Sequence, residues 1–123
     1  MRTDYFAGLD LGKSHDFTAL VVVERSERQG EWDAAAYGYR KVTALQLRYL
    51  ERIPLGTEYV EIVERVRRVM LSPALSGGRH LVVDATGLGA PIVELLRRAR
   101  VDFRLGAVFL TGGGVGGVGA NFF

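Results

Sequence analysis

Tyr5-Phe6-Ala7-Gly8-Leu9-Asp10-Leu11-Gly12 is an apolar run closed by a carboxylate and a glycine, and it has a counterpart in His80-Leu81-Val82-Val83-Asp84. Short aliphatic runs bounded by Gly-containing loops suit strands buried at the centre of a sheet. Both runs end in an aspartate. In open α/β sheets the carboxyl ends of the strands are where ligands bind, which makes Asp10 and Asp84 the candidate site. A carboxylate at the end of a buried run is costly to keep ionised without a partner, and a divalent cation tolerates two carboxylates at once. Oxygen donors of this kind suit Mg²⁺ or Mn²⁺ better than zinc.

Outward from the first run, the loop Lys13-Ser14-His15-Asp16 is short, and Phe17 to Glu24 is rich in β-branched residues, so the two strands are expected to form an antiparallel hairpin. Arg25 to Glu31 is polar and reads as a turn around Gly30. Trp32 to Val42 alternates loosely as a third strand, and residues 43 to 56 read as strand end plus loop, broken by Pro54 and Gly56. From Thr57 the period changes. Tyr59, Ile62, Val63, Val66, Val69 and Met70 share one helical face, with Glu58 and Glu61 at the start and Arg67 and Arg68 near the end, matching the helix dipole. A second helix is expected from Pro91, with Ile92, Leu95, Leu96 and Ala99 as its apolar stripe, and a last strand from Phe103 to Leu110.

The expected fold class is therefore α/β: a three-strand antiparallel meander, then helix, strand, helix and strand in one mixed sheet. Residues 1–110 make one domain. Residues 111–123 carry six glycines and no charge, and are expected to be a flexible tail or a truncated element.

Composition narrows the function classes. The 123 residues suffice for one core, and the chain contains no cysteine, which excludes disulfides, a thiolate zinc site and a thiol nucleophile. The N-terminal apolar run is too short for a signal peptide or a membrane span, so no membrane association and a cytoplasmic setting are expected. Lys and Arg number 16 against 14 Asp and Glu, for a net charge of +2, but the cations are clustered. Arg40, Lys41, Arg48 and Arg52 oppose only Glu51, and Arg97, Arg98, Arg100 and Arg104 oppose only Asp102. Such clusters either neutralise nucleic-acid phosphates or form solvated helix ends, and Arg40, Lys41, Arg97, Arg98 and Arg100 are the candidate nucleic-acid contacts. His15 and His80 read as polar loop residues, since neither has a second histidine at ligand spacing.

The segments Gly8-Leu9-Asp10-Leu11-Gly12-Lys13-Ser14-His15-Asp16-Phe17-Thr18-Ala19-Leu20 and Val82-Val83-Asp84-Ala85-Thr86-Gly87-Leu88-Gly89, with the order of elements around them, resemble the ribonuclease-H-like nuclease domain of phage large terminases. The resemblance covers about residues 5 to 112. It implies a ribonuclease-H-like mixed sheet, a two-metal Mg²⁺ or Mn²⁺ site and cleavage of double-stranded DNA during packaging in the host cytoplasm. Asp10 and Asp84 stand where that family places metal-binding, catalytic acids. Asp16, Lys13 and His15 are accessory candidates beside them. Partners implied are a terminase ATPase domain, a small terminase subunit or a portal protein. The family also supplies a further acidic ligand after the fifth strand and an ATPase motor ahead of the nuclease. Neither occurs in these residues, and no Gly-x-x-x-x-Gly-Lys-Ser/Thr loop is present, so an excised, truncated or inactive nuclease domain is expected.

Two other classes share these motifs. Asp10-x-Gly12 is similar to the first phosphate-binding hairpin of the actin and sugar-kinase ATPases, with Asp84-Ala85-Thr86-Gly87 as the second loop, which implies a nucleotide-binding module. A fold without catalysis leaves a DNA-docking domain. For the aspartates themselves, the plain alternatives are that Asp10 accepts turn amides and Asp84 caps the following helix.

Overall fold

A computed structural model describes residues 2–12, 17–84, 89–100, 106–111 and 114–118, with side chains for those up to Arg100 except residues 89 and 90. Strands β1 (Arg2–Asp10), β2 (Thr18–Asp33) and β3 (Gly38–Ile53) precede helix α1 (Tyr59–Met70) and strand β4 (Gly78–Asp84). Helix α2 (Gly89–Arg98) and strands β5 (Gly106–Thr111) and β6 (Gly114–Val118) complete the order. The chain is an α/β fold in which one mixed sheet runs β3-β2-β1-β4-β5-β6.

The meander is antiparallel throughout, with β2 pairing both β1 and β3. The connections through α1 and α2 place β4 parallel to β1 and β5 parallel to β4. Strand alternation then divides the sheet into two faces. Tyr5, Ala7 and Leu9 of β1, Leu20 and Val22 of β2, and Leu81 and Val83 of β4 form the helix-bearing face. They are buried in a single core with Ile62, Val63, Val66 and Met70 of α1 and Ile92 and Leu96 of α2. Among the described residues no helix covers the opposite, open face, which carries Asp4, Phe6, Gly8 and Asp10 of β1 and His80, Val82 and Asp84 of β4.

Helix α1 follows from its sequence: a 3.6-residue apolar stripe, Glu61 in its first turn, and Arg67 and Arg68 in its last. Its C-terminal end is tied to β4 by Arg79, whose Nη1 donates to the Met70 carbonyl at 2.7 Å and whose Nε donates to the Leu75 carbonyl at 2.8 Å. These bonds satisfy carbonyls that a helix end and the turn after it leave open. The entry to β4 is tight. A Cβ on Gly77 would run into the backbone carbonyl of Thr3, so only glycine lets β4 approach the start of β1.

The β2–β3 hairpin departs from the sequence reading. Residues 25 to 31 are not a turn but the middle of β2, and the reversal falls at residues 34–37. That turn is built by Asp33, whose Oδ1 accepts from the amides of Ala35 at 3.0 Å and Ala36 at 3.4 Å, and it closes with Tyr37 at φ 51°. Trp32 accordingly belongs to β2, and β3 continues through residues 43–53, where a strand end followed by loop was expected. A ribbon solvated on both sides needs no apolar alternation, so its polar stretch resembles a turn. Gly30 sits instead where the β2–β3 register shifts between Gln29 and Trp32. The last expected strand is β5, its described residues being Gly106–Thr111, and the glycine-rich segment, expected to be a flexible tail or a truncated element, supplies β6. Among the described residues no helix is long and apolar enough to cross a membrane.

Candidate acidic site at the strand ends

Asp10 and Asp84 are the last residues of β1 and β4 and are direct register partners on adjacent parallel strands. Their backbones are thus about one strand spacing, ~4.8 Å, apart, with both carboxylates on the open face. The sequence positions lie far apart, and the crossover through α1 brings them together. Asp10 is exposed and Asp84 half-buried. They border a shallow depression of about 250 Å³ lined also by Gly8, Leu9, Ala19, Val21 and Val82. Gly8 keeps that depression open, because a Cβ there would sit 3.2 Å from a Val21 methyl.

The row across the sheet at this level reads Arg52, Ala19, Asp10, Asp84, Val108. Arg52 therefore stands on the open face two strand spacings, about 10 Å, from Asp10. Its guanidinium lies 4.2 Å over the ring of Phe17, a cation–π contact that fixes a positive charge at the rim. Periodicity alone gave no sign of this, because residues 43–56 carry no strand pattern. The loop after β1 is anchored where it leaves the strand by the Gly12 amide, which donates to the buried Thr18 hydroxyl at 3.0 Å. Lys13, His15 and Asp16 lie outside the described residues.

Two hard oxygen donors on neighbouring strand ends fit one Mg²⁺-type ion, which binds through one or two carboxylates and keeps waters for the rest of its shell. Among the described residues no group of three or more acidic, histidine or cysteine side chains is placed to hold a metal, so a full two-metal shell is not assembled from them.

The other sequence candidates divide. Arg40 and Lys41 lie on β3 near the hairpin tip, at the end of the sheet away from Asp10. Arg97 and Arg98 end α2 and Arg100 follows it at φ 57°, all exposed, with Arg98 paired to Glu94 at 3.4 Å. Because α2 leads away from the end of β4 across the helix-bearing face, this cluster is not brought to the acidic pair. Its arginines stand at the C-terminal end of α2, where the helix dipole favours cations.

His80, read both as the first residue of the run before Asp84 and as a polar loop residue rather than a ligand, lies within β4 and is 3 % exposed. It stacks on Phe6 with ring centroids 4.5 Å apart, and its Nε2 lies 3.3 Å from Oδ1 of the equally buried Asp4. A carboxylate only accepts, so Nε2 carries the proton in this pair. Burial pushes the Asp4 carboxyl upward, but the His80 hydrogen bond and the charge of Arg2, whose Nε lies 3.1 Å away, outweigh it and hold the group below the ordinary carboxylate range.

A further concavity, about 660 Å³, lies between β3 and α1, remote from the strand ends. There Arg65 bridges Glu51 at 3.0 Å and Glu61 at 3.3 Å, and Arg68 meets Glu61 at 3.5 Å. These charges neutralise one another, which makes the groove a packing feature of α1 on the meander rather than a reactive centre. Comparison of the chain with protein-family models, characterised proteins and solved structures found no match.

Proposed function

We propose that this chain is a ribonuclease-H-like, divalent-metal-dependent DNA nuclease domain of the phage or prophage large-terminase type, acting on double-stranded DNA in the bacterial cytoplasm alongside a packaging ATPase. The observation that carries the reading is the register pairing of Asp10 with Asp84 at the ends of two parallel strands. The element order, a meander followed by helix, strand, helix and strand, supports it further.

In this reading Asp10 and Asp84 hold Mg²⁺ or Mn²⁺ by their carboxylate oxygens. The bound cation supplies Lewis-acid activation of water and charge stabilisation for phosphodiester hydrolysis. The chain's own contributions are positional. Gly8 leaves room beside the acids for the backbone of the substrate, and Arg52 offers a fixed cation to a neighbouring phosphate. Any further acidic ligand would come from outside the described residues.

The test is nicking of supercoiled plasmid in the presence of Mg²⁺ or Mn²⁺. Activity lost in both Asp10→Ala and Asp84→Ala, with unchanged melting in EDTA, is the expected result. ATP-dependent thermal stabilisation without nicking points instead to the nucleotide-binding module, and metal-independent DNA binding without nicking to a docking domain.

A further inference from the structure

The β2–β3 hairpin outruns its neighbour. Arg2, at the start of β1, pairs with Glu27, so from Arg28 onward β2 pairs only with β3 among the described residues, and the two strands continue as a free ribbon to the turn at residues 34–37. At the base of that ribbon lies a cleft of about 380 Å³ lined by Arg2, Arg28, Arg40, Lys41, Glu27, Gln29 and Tyr39. Four of these residues are cations against one carboxylate, and the register divides them between the faces of the ribbon, Arg2, Glu27 and Lys41 on one and Arg28 and Arg40 on the other. Arg2 is shared with Asp4 at 3.1 Å and Arg40 with Asp33 at 3.4 Å, whereas Arg28 and Lys41 have no ion pair within 4.0 Å among the described residues. Glu27 is held below the ordinary carboxylate range by its Arg25 hydrogen bond and charge, and then by the charges of Lys41 and Arg2.

Beyond the cleft the ribbon tip is aromatic. Trp32 packs edge-on against Tyr37 at 5.4 Å and Tyr39 at 5.1 Å, and the three rings are 49 %, 85 % and 60 % exposed. Exposed aromatic rings continuous with a cationic cleft are the combination that grips nucleic acid: cations for phosphates, ring faces and edges for bases and sugars. A two-stranded ribbon also has the width to enter a DNA groove.

We propose that the base of the ribbon is a second DNA-contact site, in which Arg28 and Lys41, on opposite faces of the ribbon, bind phosphates of the two backbones that flank a duplex groove while the Trp32–Tyr37–Tyr39 tip enters it. Arg2 and Asp10 lie on the same face of β1, eight strand rises or about 27 Å apart. That span matches about eight base pairs at ~3.4 Å each, so the cleft would hold the duplex one such interval from the acidic pair. The interval rests on the nuclease reading, whereas the cleft's affinity for DNA does not.

Trp32 is the only tryptophan of the chain, so its emission reports on the ribbon tip alone. The experiment titrates the 123-residue protein with a 20-base-pair duplex in EDTA, following Trp32 fluorescence and the anisotropy of a label on the DNA, at several salt concentrations. The expected result is Trp32 quenching on binding. Arg28→Glu/Lys41→Glu should weaken affinity at least tenfold, and the milder Arg28→Gln/Lys41→Gln should lower the salt slope by about two, one for each phosphate no longer neutralised. Asp10→Ala should bind as the unsubstituted protein does. Binding without a change in Trp32 emission, a salt slope unaltered in the Gln pair, or equal quenching by poly-glutamate would overturn the proposal. Plasmid nicking in Mg²⁺ separates the two readings. Nicking unaffected by either pair of substitutions removes the cleft and leaves the nuclease, while cleft-dependent binding without nicking does the reverse.

Discussion

Asp4→Ala removes a buried acceptor on the open face of the sheet, on which two donors converge. The Asp4 side chain is 8 % exposed, with His80 Nε2 at 3.3 Å and Arg2 Nε at 3.1 Å. Deleting it leaves a buried imidazole N–H without its acceptor, a loss of about 2 kcal/mol on the scale of about 1–3 for such groups. With an unfolding entropy of about 2.1 cal/mol/K per residue, that amounts to a fall in Tm of about 8 °C for a chain of this length. Asp4→Asn keeps an acceptor oxygen and should lose about half as much. The pH dependence carries a definite sign. A carboxyl held below its ordinary value stabilises the fold above about pH 4, the unfolded value, and the contribution disappears as pH falls through the lower folded value. The difference in Tm between the protein and Asp4→Asn should therefore be largest at about pH 5–6 and shrink toward about pH 3, followed by circular dichroism. A difference that stays constant over that range, or an Asp4→Ala variant that melts like the original, would refute this account of the open face.

Two further substitutions probe how the sheet is held. Gly77→Ala drives a methyl group into the Thr3 carbonyl and should cost about 1–3 kcal/mol, read as an earlier midpoint in urea with an unchanged m-value. Leu81→Ala empties a fully buried core position of β4 and should cost about 2–5 kcal/mol in the same assay, whereas Leu47→Ala, at an exposed position of β3, should stay within about 0.5.

The elements that bury one face could be read from residues alone. The stripe Ile62, Val63, Val66, Met70 marks α1 because a helix on a sheet must repeat its apolar positions at 3.6, and the runs before Asp10 and Asp84 mark central strands because both their faces are crowded. The register that sets Asp10 beside Asp84 was not legible, since it depends on how far the α1 crossover carries the chain. The hairpin reversal was hidden for another reason. Ala34-Ala35-Ala36 contains no glycine or proline, and the turn is made by the Asp33 side chain accepting two amides. The burial of His80 was not legible because periodicity reports apolar burial and says nothing of a histidine stacked on Phe6 and paired with an acid 76 residues away. Leu45, Leu47 and Leu50, exposed on β3, obscured that strand as well, because they lie on the open face among basic residues instead of alternating into the core.

The most direct test of the acidic pair is a Mn²⁺ titration followed by thermal denaturation. A site with a dissociation constant of about 1 mM should stabilise the protein by about 1.4 kcal/mol at about 10 mM Mn²⁺. That corresponds to a rise in Tm of about 5 °C. The account predicts that this rise is absent in Asp10→Asn and in Asp84→Asn, each folded in EDTA. An equal rise in the unsubstituted protein and both variants would contradict it.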